Sequence, residues 1–403
     1  MLNVRRSRHV FIHFQGELFL DLGELLRGEV LLTPGTGDVP VAVSLLTRGE
    51  HVLTPEGLRL LAGLPASRWT PVEEAAAAFG VGPDLLESLV RQGLVVSDAP
   101  DPETAELLRR DEDLSTMPWD GYAALYHRLS SWRGVTAPPL AADGKLAREE
   151  FALFSSRHGT PPPAFQEGPP ALDRIELPVH PKSGPLYETL LRRRTSRTFD
   201  PAVPLSREHL AVLLSYVFGC HGTAPLGGGE IALEKTSPSG GSLHPIEVYP
   251  LLLNAEGLGA GLYHYSVRDH SLGLLRPLGE EAARDLALRF TANQIYFRSA
   301  QALFLMVARF DRNFWKYRRH RKAYKVVLMD AAHLSQTFYL VCTDLGLGAF
   351  FTAAINDGDI DDELGLDGIR ESAVAICGCG ARSVDGDPLT PAFRPYTPRR
   401  SRP

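Results

Sequence analysis

An arginine-rich string combines cations and hydroxyl groups in a spacing that suits anion binding. Residues 192–199 read Arg-Arg-Arg-Thr-Ser-Arg-Thr-Phe, with four arginines within six positions. Guanidinium groups hold phosphate oxygens in forked hydrogen bonds, and short hydroxyl side chains add further donors. The string therefore predicts a phosphate-binding segment, with a solvated basic turn as the alternative.

A second string is rich in small and hydroxylic residues. Residues 235–245 read Lys-Thr-Ser-Pro-Ser-Gly-Gly-Ser-Leu-His-Pro. Its two glycines allow backbone N–H groups to approach a flat ligand, and its serines add donors. It has neither the order of a P-loop nor the strand–GxGxxG–helix context of a dinucleotide fold, so neither nucleotide-binding motif is assigned.

The chain contains a third string of interest, Trp315-Lys316-Tyr317. It lies within residues 309–325, which contain eight lysines and arginines against one aspartate. Such a cluster predicts an anionic ligand or partner nearby, with a solvated basic loop as the alternative.

A long apolar segment follows the basic one. Nearly every residue of 326–346 is apolar or small, which predicts a helix buried on several sides. Asp330, His333 and Gln336 fall at i, i+3 and i+6 and would form a polar seam on that helix. Unpaired polar groups at bilayer depth argue against a membrane span.

The composition is that of an ordinary soluble protein. The chain has 403 residues, 44% hydrophobic and 22% charged, with a net charge of −6. Its length allows two or three domains, and its charge gives no reason to expect nucleic acid or membrane partners. No signal peptide opens the chain, and its four cysteines form no CxxC pair. These features predict a cytoplasmic protein without a metal site.

Residues 1–100 predict a small winged-helix-like domain. Its predicted strands are residues 9–14, 18–22, 41–46 and 94–96. Its predicted helices begin at Thr54-Pro55, at a capping box Thr70-Pro71-Val72-Glu73 and at Gly82-Pro83. The third helix carries Asp84 and Glu87 against Arg91, and this charge argues against DNA binding.

The rest of the chain divides into a linker and a larger domain. Residues 101–183 combine predicted helices with ten prolines between positions 138 and 185, which favour extended chain. Residues 184–403 alternate helix and strand, with a flexible glycine-rich loop at 222–229 and a C-terminal arm from 378. Predicted strands are residues 246–253, 262–267, 272–275, 302–309 and 373–377, and residues 349–355 are predicted as strand or loop.

Taken together, these strings resemble a known family. Residues 193–199 and 237–245 resemble two flavin-binding signatures of the nitroreductase fold. Trp315-Lys316-Tyr317, Asp330-Ala331-Ala332-His333 and residues 345–348 look like the SagB-type dehydrogenase branch. The resemblance covers about residues 184–395, and the N-terminal region resembles the RiPP recognition element. Ala332, Lys325 and Thr195 depart from the common glycine, arginine and serine, which marks a divergent branch.

The resemblance implies an α+β fold with a mixed or antiparallel sheet and a long central helix. It implies an FMN enzyme that oxidises peptide thiazolines or oxazolines to thiazoles or oxazoles. Lys316 and Tyr317 match its catalytic pair. The implied FMN-binding residues are Arg193, Arg194, Thr195, Arg197, Pro238, Ser239, Gly240, Gly241, Ser242, Ala353, Ala354, Arg382 and Arg394.

The resemblance also implies partners. These are a homodimer with the 326–346 helix packed against its mate, a precursor peptide whose leader binds the N-terminal domain, and a cyclodehydratase. Three alternatives stay open: Cα–Cβ desaturation of a peptide, reduction of nitro compounds or quinones by NAD(P)H, and a non-catalytic flavoprotein scaffold that recruits a leader peptide.

Overall fold

The computed structural model describes residues 2–20, 32–117, 119–137 and 182–383, with short stretches between residues 149 and 177. The chain forms two compact units. The first comprises residues 1–131 and 311–324, and the second comprises residues 132–310 and 325–403. Most of the predicted proline-rich linker lies outside the described residues.

The N-terminal half contributes short strands and helices to the first unit. The strands are β1 (Asn3–Arg6), β2 (Val10–Leu20), β3 (Leu32–Ser44), β4 (Glu50–Val52), β5 (Thr70–Pro71) and β6 (Val95–Ser97). The helices are α1 (Pro55–Gly63), α2 (Val72–Phe79), α3 (Pro83–Arg91), α4 (Pro102–Thr116) and α5 (Gly121–Leu129).

These strands form two small antiparallel sheets around an apolar core. One has the order β5-β1-β6 and the other β2-β3-β4. Helices α1 and α3 bury leucines and α2 buries Ala75 in this core, because apolar residues recur on one face of each helix. The buried cluster includes Val4, Leu60, Leu61, Leu86 and Leu89.

Two of the predicted helix starts illustrate when a local signal holds. Helix α1 begins at Pro55, and the Thr54 hydroxyl accepts a hydrogen bond from the Gly57 N–H at 3.1 Å, as predicted. The predicted capping box at Thr70 is wrong. Thr70 pairs with Val4 in β5, and α2 begins at Val72 without a side-chain cap. Because strand pairing fixes the backbone of Thr70, its hydroxyl does not cap the helix.

The second unit contains the larger sheet and a separate two-stranded hairpin formed by its first two strands. Its strands are β7 (Gly222–Gly227), β8 (Glu230–Glu234), β9 (Ile246–Leu252), β10 (Gly261–Ser266), β11 (Ser271–Pro277), β12 (Ala302–Arg309), β13 (Gly348–Thr352) and β14 (Glu371–Gly380). The other α-helices of the described residues are α6 (Pro185–Arg192), α7 (Arg207–Leu213), α8 (Glu280–Phe290), α9 (Phe310–Tyr317), α10 (Lys322–Asp344) and α11 (Asp357–Leu364).

Six of these strands form one antiparallel sheet in the order β11-β10-β9-β12-β14-β13. Its core is aromatic and aliphatic, and the rings of Phe297 and Phe350 stack with centroids 3.6 Å apart. The predicted α+β fold is therefore confirmed. No helix within the described residues is both long and apolar enough to cross a bilayer.

The prediction of a flexible loop at residues 222–229 is wrong. The segment begins a hairpin in which β7 pairs with β8. Gly228 and Gly229 have φ of 63° and 85°, a left-handed conformation that glycine adopts without strain, and they form the turn. The glycines therefore close a hairpin instead of loosening a loop.

Helix α10 is the long helix predicted from its apolar content, although one face is exposed. Val327, Ala331 and Phe338 are buried, as expected. Leu328 and Met329 are 38% and 57% exposed. An uncovered apolar face on the central helix of a unit marks a surface that suits another protein chain.

A buried ion pair fastens β1 to α4 in the first unit. Arg5 and Asp111 are both buried, and Arg5 Nη1 lies 2.7 Å from Asp111 Oδ2. The other carboxylate oxygen accepts from the Ser7 hydroxyl at 2.7 Å and the Arg8 N–H at 3.0 Å. Removing one partner of a buried ion pair strongly destabilises the fold, because the other charge stays buried without compensation.

We expect Asp111→Ala to lower the free energy of unfolding by about 3–5 kcal/mol, because Arg5 would keep a buried, uncompensated charge. Chemical denaturation measures the change. Asp113→Ala, two residues along on the exposed face of the same helix, is the matched control and should cost less than about 1 kcal/mol. Equal losses in the two variants would contradict the structural role of the pair.

Candidate functional site

A buried carboxylate on α10 holds the serine–glycine turn. Asp330 is 4% exposed and accepts hydrogen bonds from the Ser239 hydroxyl at 2.6 Å and the Gly240 N–H at 3.0 Å. A carboxylate away from water requires such donors. The turn is therefore fixed to the helix by a charge-assisted pair of bonds.

Two further contacts come from the same face of α10. The Thr337 and Ser237 hydroxyls lie 2.6 Å apart, and His333 Nδ1 lies 3.2 Å from the Pro238 carbonyl oxygen. Positions 330, 333 and 337 share one helical face. The predicted polar seam is thus partly wrong: Gln336 is exposed, and Thr337 makes the contact in its place.

The turn itself has an unusual backbone. Gly241, Ser242 and His244 have φ of 66°, 56° and 46°. For Ser242 and His244 this left-handed conformation is sterically costly and persists only where surrounding contacts impose it. The His244 N–H donates to the Ser239 hydroxyl at 2.9 Å, and His244 Nε2 lies 3.1 Å from the Leu233 carbonyl oxygen. The second of these bonds joins the turn to strand β8.

A cavity of about 520 Å³ lies between the turn and the β7–β8 hairpin. Such a volume is within the range of cofactor sites. Its walls are small and polar residues of the two elements, including Thr223, Lys235, Ser237, Pro238, Ser239, Ser242 and His244. Three of the predicted FMN-binding residues, Pro238, Ser239 and Ser242, therefore line one cavity.

The arginine segment is held by a different residue of α10. The Thr195 hydroxyl lies 3.0 Å from the Tyr339 hydroxyl, and the Arg193 guanidinium lies 5.2 Å from the centroid of the Tyr339 ring. Burial raises the pKa of Tyr339, so its phenol stays protonated at neutral pH. The Ser196 N–H donates to the Ala349 carbonyl oxygen at 2.7 Å and ties the segment to β13.

Two other arginines of the predicted set occupy distinct positions. Arg194 Nη1 donates to the carbonyl oxygens of Leu191 and Arg193 at 2.7 and 2.8 Å, where it caps the end of α6. Arg382 forms a β-bridge with Phe199, so it lies beside the arginine segment. Arg197 is half-buried in that segment, and Arg394 lies outside the described residues.

Ala353 and Ala354 follow the end of β13. The Ala354 N–H donates to the Thr352 hydroxyl at 3.1 Å, and its carbonyl oxygen accepts from Gln294 Nε2 at 2.9 Å. Ala353 is exposed. Neither alanine lines the cavity beside the serine–glycine turn.

The two predicted binding segments contact different faces of α10. Successive helical residues are rotated by about 100°, so Tyr339 projects on roughly the opposite side from Asp330 and Thr337. The axial separation of residues 330 and 339 is about 13 Å at 1.5 Å per residue. One chain therefore holds its arginine segment and its serine–glycine turn on opposite sides of one helix.

Lys316 and Tyr317 close helix α9. Lys316 is exposed, and its Nζ lies 5.7 Å from the centroid of the Tyr317 ring. Both residues belong to the first unit, whereas every other described candidate residue belongs to the second. The structure thus groups the cofactor candidates in one unit and the Lys–Tyr pair in the other.

Sequence reasoning missed the residues that support the site. Asp330 was identified as a polar residue of a helix, without its partners Ser239 and Gly240. Tyr339 and Thr337 gave no signal, because a tyrosine and a threonine in an apolar helix are also typical of a core. Within the described residues, no group of His, Cys, Asp and Glu side chains is placed to hold a metal ion.

The antiparallel sheet, the central helix and the two binding segments define an α+β protein of the flavoenzyme type. The family model of the nitroreductases matches residues 190–381. A nitroreductase-like protein of Methanocaldococcus jannaschii is 30% identical over 179 residues, which are 44% of this chain and 83% of that protein. The chain belongs to the nitroreductase family, whose members include FMN-dependent oxidoreductases.

A second relative is the trifolitoxin-processing protein TfxB of Rhizobium leguminosarum bv. trifolii. It is 31% identical over 176 residues, which are 42% of this chain and 46% of TfxB, so the chain spans less than half of that relative.

Two solved structures also resemble the chain. One is the E. coli microcin synthetase complex McbBCD with truncated pro-MccB17 bound, with 20% identity, a TM-score of 0.41, and coverage of 59% of this chain and 92% of that one. The other is a nitroreductase of Desulfovibrio desulfuricans in complex with FMN, with 16% identity, a TM-score of 0.34, and coverage of 53% and 94%. Both TM-scores are low, so neither likeness assigns a ligand or partner to this chain.

We expect Gly240→Ala to lower the free energy of unfolding by about 1–3 kcal/mol, because its Cβ would overlap Val326 Cγ1. Urea denaturation measures the loss. Val326→Ala removes the overlapping methyl group, so the double variant should recover much of the stability lost in Gly240→Ala. Strict additivity of the two single changes would contradict a direct contact between turn and helix.

Proposed function

We propose that this protein is an FMN-dependent dehydrogenase that oxidises thiazolines or oxazolines of a precursor peptide to thiazoles or oxazoles. The observation that carries the FMN assignment is the serine–glycine turn, fixed by Asp330 beside a cavity of about 520 Å³. The observation that favours a peptide substrate is the similarity to TfxB, a protein named for the processing of trifolitoxin.

The chemistry of the residues suits FMN at both ends. Arg193 and Arg197, with the Thr195 and Ser196 hydroxyls, would hold a phosphate, and Arg382 could add a contact. The turn from Pro238 to Ser242 presents hydroxyls and closely approaching backbone, which suit the polar edge of a flat ring. When bound, FMN supplies the two-electron acceptor of the reaction.

We propose that two copies of the chain complete each FMN site. The arginine segment and the turn lie on opposite sides of α10, and α10 also exposes Leu328 and Met329. A dimer that covers this apolar face can bring the turn of one copy near the arginines of the other. Each dimer would then contain two equivalent sites.

In the reaction itself the substrate loses a proton from the ring carbon next to the carbonyl and a hydride from the neighbouring ring carbon. Lys316 is proposed as the base that takes the proton, and Tyr317 as the adjacent donor or relay. Both roles rest on the resemblance of Trp315-Lys316-Tyr317 to the lysine–tyrosine pair of the SagB-type branch. The first unit is proposed to bind the leader of the precursor peptide, and a cyclodehydratase is the proposed source of the azoline.

We expect Arg197→Ala to reduce FMN affinity at least about tenfold, the scale of a hydrogen bond to a charged group. The ratio of flavin to protein absorbance in the purified protein and titration with added FMN measure the loss. Arg192→Ala, an exposed arginine at the end of α6, is the matched control. A wild-type protein that is colourless and takes up no FMN would reject the proposed function altogether.

Coexpression of two variants tests whether the sites are shared between copies. Arg197→Ala and Asp330→Ala should each lose flavin alone. In a mixed dimer one site carries both defects and the other carries neither. Because random pairing makes about half of the dimers mixed, about a quarter of all sites in the preparation should recover FMN. No recovery in dimers shown to be mixed would place both ends of FMN on one chain.

We expect Lys316→Ala to cut azoline oxidation at least about 100-fold while FMN stays bound, because a general base contributes on that scale. Mass spectrometry follows the loss of two hydrogens from a thiazoline peptide. Lys316→Arg keeps the positive charge but cannot act as a base at neutral pH, so it should be as impaired as the alanine variant. Nitro reduction driven by NADPH, without peptide turnover, would instead favour a generic reductase.

A further inference from the structure

The first unit carries an exposed patch of cations and aromatic rings that the proposed chemistry does not use. We call it the basic–aromatic surface. Its members are Tyr122 and Tyr126 of α5, Trp315 of α9, Arg318, Arg319 and Arg321 between α9 and α10, and Lys322 at the start of α10. The four cations and three rings are all exposed.

The aromatic members are open to solvent, and Tyr126 is anchored on a buried ring. Tyr122, Tyr126 and Trp315 are 62%, 63% and 66% exposed, although large aromatic side chains are usually covered. The Tyr126 ring packs edge-on against buried Tyr324 with centroids 6.1 Å apart. Anchored rings lose little conformational freedom on binding, which is why tyrosine and tryptophan are frequent in binding surfaces.

One arginine joins the two halves of the surface. The Arg321 guanidinium lies 4.8 Å from the centroid of the Tyr122 ring, and its Nε lies 3.3 Å from the Asp120 carboxylate. This contact joins the cationic segment after α9 to the exposed tyrosines of α5. Asp120 also caps α5 by accepting the Ala123 N–H at 3.2 Å.

The other cations, Arg318, Arg319 and Lys322, are not paired with acidic side chains in the part of the chain that the structure describes. Arg319 also has φ of 52°, a left-handed conformation that costs energy for a side chain of this size. Unpaired like charges on a strained turn repel one another, and a bound anion would relieve that repulsion.

We propose that the basic–aromatic surface binds an acidic, extended segment of the precursor peptide that also carries aromatic side chains. Carboxylates would pair with Arg318, Arg319 and Lys322, and an aromatic side chain would pack on Tyr122 or Tyr126. The inference deepens the proposed function, on which it rests, by naming the chemistry of the substrate segment. A peptide suits the protein better than nucleic acid, because the net charge of −6 opposes a phosphate backbone.

Fluorescence anisotropy with the full-length protein tests the proposal. The probe is a fluorescein-labelled peptide of four Glu-Phe-Gly repeats, compared with its Gln-Phe-Gly counterpart and with labelled oligo-dT. We expect the glutamate peptide to bind at least about tenfold more tightly than the glutamine peptide, with an affinity that falls as salt rises. Equal binding of the two peptides, or tighter binding of oligo-dT, would overturn the proposal.

Matched variants locate the binding. Arg318→Ser with Arg319→Ser should lower the affinity for the glutamate peptide at least about tenfold, and Tyr122→Ser should lower the affinity for both peptides. Arg59→Ser with Arg68→Ser removes the same charge from exposed positions elsewhere in the first unit and should change the affinity less than about twofold. Equal losses in the two double variants would reveal a general field effect and reject the surface.

The same preparations separate this inference from the proposed function. Arg318→Ser with Arg319→Ser should retain FMN absorbance, because no FMN candidate lies in the first unit. Loss of peptide binding with FMN intact supports the surface. If FMN content and azoline oxidation are normal and the surface substitutions do not change the anisotropy of the bound peptide, the surface is rejected and the proposed function stands.

Discussion

The candidate site depends on the two hydrogen bonds that the buried carboxylate of Asp330 accepts from the serine–glycine turn. In the interior of the second unit the carboxylate needs donors, and the Ser239 hydroxyl and Gly240 N–H supply them. The two bonds draw the turn so close to α10 that Gly240 has no room for a side chain next to Val326. The packing of the turn on the helix therefore requires a serine at 239 and a glycine at 240.

Helix α10 supports both binding segments because it carries polar groups on two faces. Asp330, His333 and Thr337 hold the turn, whereas Tyr339 holds the arginine segment through Thr195. The six-stranded sheet supports the arginine segment from another side, where Ser196 bonds to β13 and Phe199 pairs with Arg382. The proposal of a site shared between two copies follows from this division.

The accuracy of the sequence predictions follows the range of the interactions that decide each element. The strands predicted at 262–267 and 272–275 lie within a residue or two of β10 and β11, because turn residues and the alternation of apolar side chains act locally. Thr70 was predicted wrongly because it pairs with Val4, a distant residue that local patterns do not reveal. The segment 222–229 was predicted wrongly because its glycines were interpreted as a flexible loop, whereas Gly228 and Gly229 form the turn of a hairpin. The arginines and the serine–glycine string were found through residue type alone.

The sequence by itself identified the cation-rich and glycine-rich segments, since these depend on residue type and spacing, and the resemblance of those segments to known signatures supplied the family and its α+β class. Only the tertiary structure decided that Asp330 bonds to the turn, that Tyr339 faces the arginines, and that Lys316 belongs to a different unit from the cofactor candidates. The reason is physical. Contacts between residues about ninety positions apart depend on how helices and strands pack, and packing is a property of the whole core.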